Sequence, residues 1–165
     1  MSNQHSYKQK LVSSADAVRQ VRNGDVIIVP TGVGEPPSLL TALSEQRRDF
    51  HDVKVAQILA MRKYAYIDPE TTDCVRHVAF FYGGATRTGG QEGGMDFIPN
   101  YFTETPGQIK RGQSPAEVVF SMASPMDAHG DFSISLAADY TMAAIAKARA
   151  VVLEVNANVP FAYGN

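Results

Sequence analysis

A single cysteine, Cys74, in 165 residues leaves no intrachain disulfide framework and suits a reducing compartment. No apolar run approaches the ~18 residues of a membrane helix, so the sequence offers no membrane partner. Met1 to Lys10 lacks an apolar stretch of the secretory type, which makes the cytoplasm the expected location. Basic clusters are missing as well. Arg47-Arg48 and Lys110-Arg111 read as solvated surface, and with a formal net charge of -2 there is no electrostatic basis for binding nucleic acid. No fixed-period repeat occurs. Nor do His5, His51 and His77 show a spacing that would bring them to Asp127 and His129 as a metal set, so no metal is expected.

What remains is ordinary globular material: 44% apolar and 19% charged residues, in a length that one domain of ~100–200 residues accommodates. Val26-Ile27-Ile28-Val29 is a continuous apolar run, the mark of a strand covered on both faces in a parallel sheet. Further strands are expected near Val53–Leu59, Val75–Tyr82, Val118–Ala123, Phe132–Leu136 and Ala150–Val155. Helices are expected after a Ser13 or Ser14 cap with Ala17, Val18 and Val21 inward, near Pro37–Gln46 with Leu39, Leu40 and Leu43 inward, and near Ala138–Ala148 packing through Met142, Ile145 and Ala146. Strands alternating with helices define the class as α/β, a mostly parallel open sheet with helices on both faces. Gly83 to Gly94 holds six glycines among twelve residues and reads as a mobile surface loop.

Several residues are candidates for chemistry. Gly32-Val33-Gly34 follows a buried strand and precedes a helix, but Pro37 occupies the third glycine position of a dinucleotide fingerprint and no ribose-binding acid is evident. What survives is a helix N-terminus suited to an anion, or a tight turn without ligand. Glu35 at that turn reads as a nucleophile, a substrate-orienting group or a dipole partner of the helix; a carboxylate so placed has its charged form stabilised, which favours the last two. Asp127 and His129, between Pro125 and Gly130, suggest an acid–base pair or a turn tied to its own backbone. Arg87 is a cation within the glycine-rich segment, suited to the phosphates of a ligand or simply to solvent. Asn156 and Asn158 follow a buried strand, where open α/β sheets place ligands and where turns also favour Asn. Cys74 at a strand entrance, flanked by Asp73 and Val75, reads as buried and inert.

The order of four blocks resembles the acetyl-CoA hydrolase/transferase family, the acyl-CoA:carboxylate CoA-transferases that include 4-hydroxybutyrate CoA-transferases. The blocks are Gly32-Val33-Gly34-Glu35-Pro36-Pro37 with Leu39, Leu40, Ala42 and Leu43; Arg87 with Gly94-Met95-Asp96-Phe97-Ile98-Pro99, Pro106 and Gly112; Ser124-Pro125-Met126-Asp127-Ala128-His129-Gly130 after an apolar strand; and Val151 to Pro160. The resemblance implies a CoA-transferase-type open α/β fold, with Gly32, Val33, Gly34, Glu35 and Pro36 lining an acyl or carboxylate pocket. It further implies Arg87, Asn156 and Asn158 as substrate contacts, and Ser124, Pro125, Asp127, His129 and Gly130 as scaffold beside the site.

It also implies chemistry without a permanently bound cofactor, with coenzyme A and its esters as substrates and a short-chain carboxylic acid as partner. In that chemistry a glutamate carboxylate attacks the acyl-CoA, and the released thiolate converts the resulting anhydride to a glutamyl–CoA thioester. The family's catalytic glutamate lies beyond this segment, so residues 1–165 are expected to be an incomplete N-terminal domain with no catalytic residue of their own. A missing C-terminal domain or chain would complete the site, in a homo-oligomer. Phe161-Ala162-Tyr163 departs from the Arg-Thr-type pair that relatives often carry. An acyl-CoA hydrolase on the same scaffold, or a non-catalytic acyl-CoA or carboxylate binding module, stands as the alternative.

Overall fold

The computed structural model describes residues 3–163. Six strands form one sheet: β1 (Val26–Ile28), β2 (Val53–Gln57), β3 (Val75–Ala79), β4 (Met95–Phe97), β5 (Val118–Ala123) and β6 (Ala150–Val155). Their spatial order is β4-β3-β2-β1-β5-β6, and every neighbouring pair is parallel. The chain builds outward from β1 to β4, then returns to place β5 on the other side of β1. The polarity of growth therefore reverses between β1 and β5, and in open α/β sheets the crevice beyond the carboxyl ends of two such strands is where ligands bind.

Helices cover both faces. These are α1 (Asn3–Lys10), α2 (Ser14–Ala17), α3 (Pro37–Glu45), α4 (Arg87–Gln91), α5 (Thr105–Lys110) and α6 (Thr141–Ile145). One core joins Ala17, Val18, Leu39, Leu40 and Leu43 to Ile27, Val55 and Phe120; the other joins Ile28 and Val119 to Ile109, Tyr140, Ala143 and Ala144. Each buried Leu or Ile contributes ~1.5–3 kcal/mol relative to exposure, which is why the continuous apolar runs take the centre of the sheet. Ser13 caps α2 by accepting the Asp16 N–H at 3.1 Å, as its position in sequence implied. Among the described residues, no helix is long and apolar enough to cross a membrane.

Four expectations need correction. Phe132–Leu136 is no strand: Ser124 and Ser133 exchange backbone and side-chain hydrogen bonds there, an alternative to a ladder that short hydroxyl side chains offer. The sixth strand is Met95–Phe97, held on β3 by an Arg76–Asp96 ion pair of 2.7 Å. The glycine-rich segment is no loose loop either. It contains α4, and Gly94 packs so closely on Ile67 that a Cβ there would lie 2.1 Å from the Ile67 carbonyl oxygen. Finally, α6 is short and buries Ala143 and Ala144, leaving Met142 exposed. Asp139 accepts from the N–H of Thr141 and so sets a later start and a different inward face. Cys74 is half-exposed rather than buried, and desolvation and its bond to Asp73 raise its thiol pKa.

A polar seam runs through the first core. His77 on β3 stacks on Tyr66, which stacks on Tyr64. His77 is 1% exposed, neither ring nitrogen has a hydrogen-bond partner, and burial lowers its pKa to about 4. Because the folded state holds it neutral while the unfolded state protonates near pH 6.5, its contribution to stability is intact above pH 6.5 and is lost as pH falls towards 4. We expect the wild type to lose about 3 kcal/mol more than His77→Phe between pH 7 and pH 4, measured by urea denaturation. Equal losses in the two proteins would contradict this.

Candidate functional site at the carboxyl edge of the sheet

β1 leaves the sheet through Pro30 and Thr31 into a single 3-10 turn, Gly32–Gly34, followed by Glu35, Pro36 and α3. Gly32 takes φ 56, a left-handed conformation open to glycine at little cost. Gly34 is glycine for a different reason. An added Cβ would lie 2.7 Å from Ala137 Cβ and 2.8 Å from Pro30 Cβ, so the turn rests directly on the Ser135–Ala137 turn beyond β5. The need for glycine at 34 thus arises within the protein, and needs no ligand to explain it.

Backbone groups of the turn are held from several sides. Thr31 N–H donates to Asp139 Oδ2 at 3.0 Å, Gly32 N–H to the Leu59 carbonyl at 2.9 Å, and Glu35 N–H to the Gly32 carbonyl at 3.1 Å. Among the described residues, Val33 N–H alone in the turn has no acceptor, and Val33 is 59% exposed. The Val33 N–H is therefore an unpaired donor within the turn.

Glu35 is buried, 4% exposed, behind that turn. Its Oε2 accepts from Gln57 Nε2 and from Met61 N–H, both at 3.0 Å, and its Oε1 accepts from the Tyr64 hydroxyl at 2.6 Å. Burial, reinforced by this bond to Glu35, raises the Tyr64 hydroxyl pKa above its ordinary value. Every partner donates, the pattern an ionised carboxylate takes.

The N–H groups that open α3 are also occupied. Glu154 on β6 accepts from Ser38 N–H at 2.8 Å and Leu39 N–H at 3.1 Å, and from the Ser38 hydroxyl at 2.9 Å. The anion that this helix N-terminus attracts is a carboxylate from 116 residues away. Sequence reasoning missed Glu154, whose only signal was a charge inside an otherwise apolar run.

The other candidates lie around this edge to different degrees. Ser124 is buried, and its hydroxyl oxygen accepts the Ser133 N–H at 3.0 Å; Pro125 beside it is exposed. Asp127 Oδ1 accepts from His129 N–H at 2.9 Å and Asp131 N–H at 2.8 Å. These backbone donors, Asp131 first, lower the Asp127 pKa. His129 is exposed, and its carbonyl accepts from Asn3 Nδ2 at 2.6 Å, against a left-handed Gly130. Asn156 Oδ1 accepts the N–H of Asn158 within their own turn. Arg87 opens α4 near the far edge of the sheet and is exposed. Beside β6 runs a groove of about 920 Å³, lined by Tyr7, Leu11, Val12, Phe132, Val151 and Leu153 among others.

The family model described as the acetyl-CoA hydrolase/transferase N-terminal domain matches residues 1–165. The chain belongs to the acetyl-CoA hydrolase/transferase family. Among relatives of this family, the chain is 37% identical to a succinyl-CoA:cyclohexane-1-carboxylate CoA transferase of Geobacter metallireducens, over 99% of this chain and 37% of that one. It is 33% identical to a 4-hydroxybutyrate coenzyme A transferase of Clostridium kluyveri, over 96% of this chain and 37% of that one. The crystal structure of RipA from Yersinia pestis superimposes with a TM-score of 0.87 at 26% identity, over 99% of this chain and 40% of that one. The chain thus spans little more than a third of the length of these acetyl-CoA hydrolase/transferase relatives, and the part it matches is the family's N-terminal domain.

Close packing at Gly34 predicts that Gly34→Ala lowers stability by about 1–3 kcal/mol, read as a shift in the urea midpoint. An unchanged midpoint would show that the turn does not rest on Ala137 as described.

Proposed function

We propose that residues 1–165 form the N-terminal half-site of an acyl-CoA:carboxylate CoA-transferase, acting between short-chain acids of the 4-hydroxybutyrate, butyrate or acetate type. What carries the reading is membership of the family together with the Gly32–Gly34 turn at the β1/β5 crevice, whose Val33 N–H is unpaired. A fixed donor of this kind stabilises the oxyanion that develops when a carboxylate adds to a thioester carbonyl. Gly32, Val33, Gly34 and Pro36 would line the acyl pocket, with Glu35 behind them. Asn156, Asn158 and Arg87 would meet more distant parts of the CoA ester, while Ser124, Pro125, Asp127, His129 and Gly130 support the edge.

In the reaction this assigns, a glutamate outside these residues attacks the acyl-CoA carbonyl and expels the CoA thiolate, leaving an acyl–glutamyl anhydride. The thiolate then attacks the glutamyl carbonyl, releases the donor acid, and leaves a glutamyl–CoA thioester that an acceptor acid consumes in reverse. Water at either intermediate diverts transfer to hydrolysis, so the two activities differ by how well the site is covered.

β6 supports the need for a further portion. Parallel strands occur almost only with both faces covered, yet none of its residues is fully buried, and Val151 is 40% exposed beside the groove. The C-terminal portion that the relatives possess would fill that groove, in the same chain or a second one.

Residues 1–165 alone should give no acyl-CoA:acetate exchange above background, whereas the same residues joined to a C-terminal portion should exchange CoA. Full turnover by residues 1–165 would overturn the half-site reading. Consumption of acyl-CoA by the completed protein at a rate that a free carboxylate does not raise would replace transferase by hydrolase. Binding without any turnover would leave a binding module.

A further inference from the structure

We propose that Glu35 is a positioning residue, a carboxylate clamp that joins the two loops at the carboxyl edge and thereby fixes the Val33 donor and the Met61 side chain. This rests on the transferase reading for its catalytic consequence, though the clamp itself does not. Glu35 sits at the end of the β1 turn, and its three donors all come from β2 and the segment that follows: the Gln57 amide, the Met61 N–H and the Tyr64 hydroxyl. Gln57 Nε2 also donates to the Pro30 carbonyl at 2.9 Å, so the last residue of β2 grips the turn at both its start and its end.

Among the described residues, no other side chain holds the Met61 N–H, and the loop around it exposes Met61, Arg62 and Lys63. Without Glu35, Met61 N–H loses its acceptor, the Tyr64 hydroxyl loses its partner in the interior, and the turn keeps its bonds to Asp139, Leu59 and Gln57 and its packing on Ala137 but loses its tie to the Met61 loop. Val33 and Met61, 59% and 54% exposed on the two loops, would then move independently. In an active site a displacement of about 1 Å costs on the order of 100-fold in rate.

Geometry and charge make opposite demands at this position, which allows a decisive comparison. Gln keeps the length of Glu: its carbonyl oxygen accepts from Met61 and Gln57, and its amide donates to the Tyr64 oxygen, which can accept as well as donate. Asp keeps the charge but is one methylene shorter and cannot reach all three donors. A residue acting on substrate through its charge, or as a nucleophile, would tolerate Asp better than Gln.

The test uses the full-length enzyme with Glu35→Gln, Glu35→Asp and Tyr64→Phe, comparing kcat, KM for both substrates, and hydrogen exchange at the Met61 amide. The clamp predicts kcat for Glu35→Gln within about threefold of wild type and for Glu35→Asp lower by about 100-fold, each with KM within about twofold. Tyr64→Phe, which removes one donor and leaves Met61 held, should fall about threefold. Met61 exchange should stay slow in Glu35→Gln and accelerate at least about tenfold in Glu35→Asp. The reverse order in kcat, or a loss confined to KM for the acceptor acid, overturns the positioning role. If the wild type moves no CoA at all, the function reading fails, and the exchange order by itself upholds or overturns the clamp.

Discussion

A carboxylate in a protein interior is tolerable only when its oxygens are met by donors, and at Glu35 three donors from the end of β2 and the segment after it meet them. That requirement organises the carboxyl edge. The turn after β1 cannot move without stranding a buried charge, nor can the segment after β2, so two loops that topology merely places side by side become one body. A buried acceptor with its donors removed costs more than the net worth of the bonds, which gives the clamp its stiffness.

The same device recurs around the sheet. Asp139 accepts from Thr31 and Thr141, Glu154 from Ser38 and Leu39, Asp127 from His129 and Asp131, and Glu117 from Val26. Each binds backbone N–H groups that the fold would otherwise leave without partners at helix starts, strand entries and turns. Acids that look catalytic by residue type are engaged in holding backbone, and among the described residues the Val33 N–H of the turn is left unpaired. On the proposed reading, a half-site of this kind would contribute shape and a donor, with the nucleophile supplied by another part of the protein.

Strands β1, β2, β3, β5 and β6 and helix α3 were legible in the sequence because buried parallel strands read as unbroken apolar runs and because Leu39, Leu40 and Leu43 recur at helical spacing. The family resemblance was legible through ordered blocks rather than through any one motif. Other features were not. β4 is three residues long, paired to β3 by a short ladder with an Arg76–Asp96 ion pair beside it, so it has no periodicity to detect. Phe132–Leu136 alternates like a strand, but Ser124 and Ser133 satisfy the backbone locally, and the order of α5 and α6 against the sheet decides the rest. The partners of Glu35 and Glu154 lie 22 to 29 and 115 to 116 residues away, so neither engagement can be inferred from neighbours in sequence. Sequence placed Glu35 at the site, and only the fold shows that all of its oxygens are taken.

The measurement that bears most directly on this account is the location of the covalent intermediate. Full-length enzyme incubated with acyl-CoA and trapped with borohydride or hydroxylamine, then digested and examined by mass spectrometry, should carry its modification on a glutamate outside residues 1–165, with Glu35 unmodified. A modification on Glu35 itself would mean that the carboxylate leaves its three donors to attack the thioester, and would contradict the view of this edge as a fixed scaffold.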